Sequence, residues 1–398
     1  MNLISLDSLD SLDGLQIQAK RRQEFDQDYG FLFVGSGKSY KLRWSSKGNL
    51  GTILTGHNHL RLGLVLILAR EGSTINFILH SIRNSRRLLK WCSIQIENNY
   101  ANFHQNVRLC NGESVFLFYH ESTAEIEIRS LTSLKKTWSL DLTQMCNRFN
   151  LLKYLDQIKA SLDFDSITHL GKIVLLLANK LILVKKDSVD QSEVVFDCSE
   201  LTIKERLMGL RYNFEQRILL VIGMTSFFLF GFDDKGLSYS RNIGCNQLGR
   251  AIRLLGWDPK EEFILIAQRI MGDHENYHLI DYRTSDPMII NFLNGKLLLG
   301  NCYDSINHRL FYIEIGHDQR KEIRTVSFRD FRAKYDLNEP QQQIREISFD
   351  TEHYTALPPI SGIYPYYFMD SLKGTLFFKP LRGTDEKFLI DVPLRMSM

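Results

Sequence analysis

KIVLLLANKLILV (Lys172–Val184) consists of two short apolar runs, Ile173–Leu177 and Leu181–Val184, parted by Ala178, Asn179 and Lys180. Each run is too short for a helix and too apolar for a loop, and the break between them is a turn, so the stretch reads as a β-hairpin. The same reading applies to RILLVIGMTSFFLFGF (Arg217–Phe232), EFILIAQ (Glu262–Gln268) and RLFYIEI (Arg309–Ile315). Their apolar runs start at Ile173, Ile218, Phe263 and Leu310, which are 45, 45 and 47 residues apart.

Working outward, related hairpins begin at Leu62 (LGLVLILAREGSTINFIL), Val115 (SVFLFYHESTAEIEI) and about Thr375 (GTLFFKPLRGTDEKFLIDV), at longer steps of 53, 58 and 65 residues. Two insertions account for the largest excesses. In MCNRFNLLKYLDQIKASLDF, Leu151, Leu155, Ile158 and Leu162 recur at helical spacing, which predicts a helical insertion over about 145–163. FRDFRAKYDLNEPQQQI is polar and carries Pro340, which predicts a long loop over about 329–343. Seven hairpins at this period match the four-stranded blades of a β-propeller, whose repeats run to about 40–45 residues.

YHLIDYRTSDPMI (Tyr277–Ile289) has the form of the third strand, turn and fourth strand of a WD40 blade, with Asp281 in the place of the motif's aspartate. IEIRSLTSLKKTWSL (Ile126–Leu140) and FFLFGFDDKGLSYS (Phe227–Ser240) share that form, and LGWDPKEEFILIA (Leu255–Ala267) matches a first-strand exit and second strand. The chain beyond about residue 30 therefore resembles a diverged WD40-like propeller. The Trp-Asp dipeptide is missing from its usual place, and no Gly-His pair opens the blades in register.

The expected fold class is all-β: a seven-bladed β-propeller with a short inserted helix. FLFV (Phe31–Val34) and YKLRW (Tyr40–Trp44) precede the first full hairpin and are free to complete a last blade ending near FLIDV (Phe388–Val392), because an open ring would leave unpaired edges. An eight-bladed ring is the alternative, but 22 residues between Tyr40 and Leu62 are cramped for a further blade. The expected organisation is a flexible segment, 1–28, followed by one propeller domain, 29–398.

Composition narrows function only by exclusion. Over 398 residues, 49 Lys+Arg against 46 Asp+Glu leave +3, which excludes a strongly basic nucleic-acid coat or an acidic tail protein. The content of 44% hydrophobic and 24% charged residues is that of a chain able to bury a core. The six cysteines show no CxxC spacing, so neither a zinc ribbon nor a redox pair is indicated. MNLISLDSLDSLDGL lacks a basic leader, and the longest apolar run, Leu62–Ala69, is far short of a membrane span. A soluble intracellular protein is expected, nuclear before cytoplasmic.

His274-Glu275-Asn276-Tyr277-His278 satisfies HExxH, the pattern that on a helix places two imidazoles on one zinc ion beside a glutamate base. Here it lies between two strand patterns, where residues four apart stand about 13 Å from each other, so His274, Glu275 and His278 are rejected as metal ligands. VGSGKS (Val34–Ser39) fails as a P-loop because Leu32 stands where the first glycine belongs.

Arg83, Arg86, Arg87 and Lys90 beside Trp91 form the candidate nucleic-acid patch, set against a charged turn that protects a blade edge. Asp281 and Arg283 form an Asp-x-Arg turn resembling the one by which some WD40 proteins dock on cullin-type ubiquitin ligases, with Ile280 where that motif prefers Trp. Leu3, Leu6, Leu9 and Leu12 alternate with aspartates, as in segments that fold on a partner's groove. With Leu151, Leu155 and Ile158 they are candidate protein-docking residues. No GxSxG elbow or spaced carboxylate pair stands out.

The resulting expectation is a non-catalytic scaffold or recognition subunit of a multi-subunit complex, with proteins as partners and no cofactor, membrane or small-molecule substrate. The alternatives are a ubiquitin-ligase substrate receptor, a zinc hydrolase and a nucleic-acid-associated propeller.

Overall fold

The computed structural model describes residues 29–35, 38–44, 52–59, 64–71, 73–81, 88–95, 107–110, 115–120, 123–154, 162–167, 170–185, 188–198, 206–233, 236–248, 252–269, 275–296, 298, 300–305, 308–315, 321–334, 344–347, 349, 351–356, 367–372 and 375–380. The chain opens with β1 (Tyr29–Gly35) and β2 (Lys38–Trp44). Sheet 1 follows as β3 (Thr52–His59), β4 (Leu64–Glu71), β5 (Thr74–Ser81) and β6 (Leu88–Gln95). Sheet 2 is β7 (Val107–Leu109), β8 (Val115–His120), β9 (Glu125–Ser130) and β10 (Lys136–Asp141). Sheet 3 is β11 (Asp163–Ile167), β12 (Lys172–Leu177), β13 (Lys180–Lys185) and β14 (Ser188–Asp197).

Sheet 4 comprises β15 (Leu207–Asn213), β16 (Ile218–Gly223), β17 (Ser226–Asp233) and β18 (Gly236–Gly244). Sheet 5 comprises β19 (Ile252–Asp258), β20 (Phe263–Arg269), β21 (Glu275–Asp281) and β22 (Met288–Lys296). Sheet 6 has β23 (Gly300–Asp304), β24 (Arg309–Ile315) and β25 (Lys321–Ser327), then a detour through β26 (Arg345–Glu346) before its fourth strand, β27 (Thr351–Ala356). β28 (Tyr367–Leu372) and β29 (Thr375–Pro380) pair with β1 and β2 in the order β2-β1-β29-β28.

Among the described residues the protein is thus all-β, built of four-stranded antiparallel sheets, of which sheet 5 gains β26 as a fifth, parallel strand, with one short α-helix. In each sheet the first strand pairs only with the second, and one turn length recurs in five of the sheets, whereas the β28–β29 turn is shorter, with Leu372 opposite Thr375. Paired residues flanking that turn are five apart in His59/Leu64, Ile167/Lys172, Asn213/Ile218, Asp258/Phe263 and Asp304/Arg309. Turn chemistry repeats as well. Asn213 Oδ1 accepts from Gln216 N at 2.9 Å, and Asp258 Oδ1 accepts from Glu261 N at 3.0 Å. Short side-chain oxygens at such positions hold the turn by imitating backbone.

Arg217, Glu262 and His308 close these turns with φ of +54°, +54° and +51°. Their carbonyls accept from Phe232, Tyr282 and Phe328, each at or just past the end of a third strand. Three sheets therefore carry the same backbone staple.

The apolar runs are continuous because the second strands are buried on both faces. Ile173, Leu175 and Leu177 of β12 pack in the core shared with sheet 2, whereas Val174 and Leu176 pack in the core shared with sheet 4. β16 divides likewise, with Leu219 and Val221 on one side and Leu220 and Ile222 on the other. Each such side chain contributes on the order of 1.5–3 kcal/mol on burial. The core is therefore a series of layers between successive sheets. β28 lies beside both β23 of sheet 6 and β3 of sheet 1.

One expectation needs correction, and a second is described only in part. The inserted helix is α1 (Leu142–Arg148), earlier and shorter than about 145–163, followed by a 3-10 turn at Leu152–Tyr154. Asp141 caps it by accepting from Thr143 N (2.7 Å) and Gln144 N (3.1 Å), and Leu142, Met145 and Cys146 enter the core between sheets 2 and 3. Of the stretch expected as a loop over about 329–343, only 329–334 is described; it contains a 3-10 turn, Phe331–Lys334, whose Phe331 ring is buried against Phe263, and 335–343 lies outside the described residues. The reason is packing: an aromatic side chain outweighs a polar context. The segments 1–28 and around FLIDV lie outside the described residues, whereas the N-terminal pair β1–β2 joins the C-terminal strands through β1 and β29.

Candidate functional site

Strand pairing identifies equivalent positions on the seven first strands. Opposite the third residue of each second strand stand His57, Arg108, Asp165, Arg211, Gly256, Cys302 and Asp370. Three of these, from β7, β11 and β15, converge around a fourth residue, Asp163, which shares a face of β11 with Asp165 because strand side chains alternate.

Asp163 is buried and all its acceptor capacity is in use. Its Oδ1 accepts from Arg108 Nη2 at 2.7 Å and from Phe164 N at 3.0 Å, while Oδ2 accepts from Arg211 Nη1 at 3.1 Å and Leu210 N at 3.0 Å. Burial pushes its carboxyl up, but the two guanidinium groups and two backbone N–H groups outweigh this and hold it below the usual carboxylate range. Asp165 receives only backbone donors, Ser166 N at 2.8 Å and Tyr212 N at 3.2 Å. Desolvation lifts it to about 6, opposed by the charge of Arg108. Two carboxyl groups on one strand face are thereby driven apart, one fixed as an anion and one able to hold a proton near neutrality. Arg108 Nε, buried, has no hydrogen-bond partner among the described residues. Arg211 keeps 43% of its side chain exposed.

Sheets 5 and 6 fill the same level differently. Gly256 takes the position that Arg211 holds in sheet 4, and a Cβ there would come within 2.5 Å of Tyr303 Cβ and 2.6 Å of its Cγ. The missing side chain is what admits Tyr303, whose hydroxyl donates to Asp258 Oδ2 at 2.7 Å. His308 Nδ1 reaches the same oxygen at 2.9 Å. Arg253 on β19 spans Asn301 Oδ1 and Glu275 Oε2, each at 2.8 Å, and Glu275 also accepts from Tyr277 Oη.

Leu3, Leu6, Leu9, Leu12, Arg83, Arg86, Arg87, Leu155, Ile158 and His274 lie outside the described residues. Lys90 falls in β6, paired with Leu79. Leu151 is buried in the core between sheets 2 and 3 and so serves packing, while its neighbour Leu152 is exposed. Glu275 and His278 stand on β21, a strand. His278 is buried, its Nε2 3.0 Å from Gln268 Oε1, and desolvation lowers its pKa to about 4. Among the described residues no group of three or more His, Cys, Asp or Glu is placed to hold a metal ion.

Asp281 and Arg283 do meet, in a fork of 3.2 and 3.1 Å, but Asp281 is buried and also accepts from Arg332 Nε at 3.0 Å. Arg332 binds Glu261 in addition, at 3.1 Å, and lies over the Phe331 ring. The Asp-x-Arg turn is therefore part of a network tying the segment after β25 onto sheet 5.

Sequence reasoning misses the cluster around Asp163. Asp163-Phe164-Asp165 is its one visible sign; Arg108 and Arg211 lie 55 and 48 residues away, and only register brings them in.

Among the described residues no helix is long and apolar enough to cross a membrane. The chain matches no protein-family model and no curated protein. Solved structures similar to it include the WD40 domain of Toxoplasma gondii coronin, with a TM-score of 0.45, 9% identity, and 90% of this chain and 87% of that one covered. A functionally unknown protein from Desulfotomaculum acetoxidans gives a TM-score of 0.46 at 10% identity over 76% of this chain and 93% of its own. Hsv2p of Kluyveromyces lactis gives 0.42 at 7% identity over 74% and 81%.

Proposed function

We propose that the chain is one seven-bladed, WD40-like propeller domain, closed by pairing of β1 with β29, and that it acts as a non-catalytic scaffold or recognition subunit of an intracellular complex. The repeated turn length, the shared cores on both faces of β12 and β16, and the place of β28 between β23 and β3 support the ring.

One observation carries the functional half: the buried acids of the described residues are taken up by the fold itself. Asp163 answers four donors, Asp258 three, and Asp281 is held by Arg283 and Arg332. Side chains engaged in this way position sheets; they do not wait for a substrate. Tyr239 and Val194, by contrast, are exposed apolar groups on the outermost strands β18 and β14, and Tyr239 stacks at 3° on Phe196 of the neighbouring sheet. Exposed aromatic groups on a rigid frame suit protein partners.

The test is in-cell crosslinking followed by affinity capture of the full chain, its Tyr239→Asp and Val194→Asp variants, and a deletion of Met1–Gln23. A defined set of partner proteins, reduced by at least one of these changes, is expected. A chain recovered alone, or a set indifferent to all three, contradicts the reading.

A further inference from the structure

Sheet 5 carries a fifth strand that belongs to its neighbour. Between β25 and β27, both in sheet 6, the chain crosses to sheet 5 and lays β26 along the outer edge of β22. The pairing is parallel, Ile290 with Arg345 and Asn291 with Glu346, whereas all other strand pairings among the described residues are antiparallel. Ile347 N then donates to Asn291 O at 3.3 Å.

Side chains supply the rest of the hold. Ile347 packs against the core of sheets 5 and 6, and two residues on Phe349 is buried there. Its ring meets Phe292 edge-on at 6.1 Å and Phe328 at 5.3 Å. Phe292 is the residue passed over where β22 shifts register, with Tyr277 opposite Leu293 and His278 opposite Asn291. A bulge of this kind re-aims a side chain, and here the bulged residue helps form the Phe349 pocket.

Three properties make this edge a receptor rather than an ordinary sheet. The paired length is two positions of the nine in β22, so the remainder of the edge is uncovered among the described residues. Specificity lies in an apolar residue followed two positions later by an aromatic one, the pattern by which an added strand is read through alternate pockets. The segment itself is tethered independently, since Arg332 upstream binds Asp281 and Glu261 and β27 downstream is held by β25. Withdrawal of β26 would therefore leave both flanking anchors in place.

We infer that the outer edge of β22 is a strand-acceptor site for an extended partner segment of pattern aliphatic-x-aromatic, and that Arg345–Phe349 occupies it as an internal ligand. This rests on the scaffold reading, and it names one kind of partner for it. A partner segment would enter parallel to β22, place its aromatic ring between Phe292 and Phe328, and displace β26.

The probe is a fluorescein-labelled synthetic peptide with the sequence of Arg345–Thr351, titrated by anisotropy into the full-length chain. Phe349→Ala empties the pocket, so that variant is expected to bind the peptide at least about tenfold more tightly than the wild type, whose site is filled. A peptide with alanine in place of the phenylalanine should show no preference between the two proteins. Ile347→Pro, which removes the N–H given to Asn291, is the second variant should Phe349→Ala fail to fold; it too should gain affinity. Equal binding of the phenylalanine peptide to wild type and to the folded variant, or binding of the alanine peptide to the variant as tightly as the phenylalanine peptide, overturns the inference. Such a result leaves the capture experiment above unaffected, because partners at the Tyr239 rim would still be recovered.

Discussion

The junction of sheets 2, 3 and 4 and the junction of sheets 5 and 6 solve one packing problem in opposite ways. At the same register position the first uses Arg108, Asp165 and Arg211, and the second uses Gly256 and Cys302. Charge holds the first together through Asp163. Volume holds the second, because Gly256 lets Tyr303 close over β19 and reach Asp258. A hydrogen-bonded buried charge adds little net stability over an apolar filling, yet its loss is severe, because the partner charges are left behind. A glycine contact has the reverse character: nothing is lost on removing a group, and everything is lost on adding one. The two junctions should therefore fail under different substitutions and respond differently to pH.

The largest effect is expected from Asp163→Ala. It strands Arg108 and leaves Leu210 N and Phe164 N without an acceptor, so a loss of about 3–5 kcal/mol should appear in urea unfolding, towards the lower end because Arg211 is partly solvated. A loss below about 1 kcal/mol would mean that the cluster does not hold the junction.

Asp165→Asn should move stability the other way. Its folded pKa is raised from 3.8 to about 6, so the ionised form is the one the fold disfavours. Below about pH 4 the group is protonated folded and unfolded, and no penalty exists. The penalty grows as pH rises from about 4 to about 6 and is complete above that, where it amounts to about 2–3 kcal/mol. The variant should match wild type near pH 4 and exceed it at pH 7.5. Unfolding curves that stay parallel across that range would remove the assignment.

Gly256→Ala comes next, at about 1–3 kcal/mol lost, with little dependence on pH. Pairing it with Tyr303→Gly, which removes both the Cβ and the Cγ that the new methyl group meets, provides the check. If the two strands meet through Tyr303, the double variant should lose less than the two single losses combined. Simple additivity would place the strain elsewhere. Arg283→Ala should cost least, under about 1 kcal/mol, because Arg332 still answers Asp281.

These differences explain what a reading of the residues alone can reveal. The repeat is legible because β12, β16 and β20 are buried on both faces, so the demand of two cores writes an uninterrupted apolar run into each sheet. The turns are legible through Asn213 and Asp258, whose side chains cap them. The Asp163 cluster is not, since charges 48 and 55 residues apart acquire meaning only through register. The helix stands earlier than expected because the spacing of Leu151, Leu155 and Ile158 draws attention past Asp141, whose side chain caps its first turn. β26 leaves no sign at all: two paired residues cannot generate a period, and Phe349 looks like any aromatic beside a polar stretch.

Closure of the ring is the central claim, and it depends on β1 meeting β29 in a defined register, with Val34 opposite Leu376 and Leu32 opposite Phe378. Directly opposed residues in an antiparallel pair lie about 4.5–5.5 Å apart at Cα, within reach of a disulfide. The most direct measurement is peptide mapping by mass spectrometry of the oxidised Val34→Cys/Leu376→Cys double variant beside an out-of-register control, Leu32→Cys/Leu376→Cys. A dominant disulfide between positions 34 and 376 in the first protein, and little between positions 32 and 376 in the second, is the predicted result. No crosslink in the folded double variant, or equal crosslinking in both, would contradict a ring closed by its two ends.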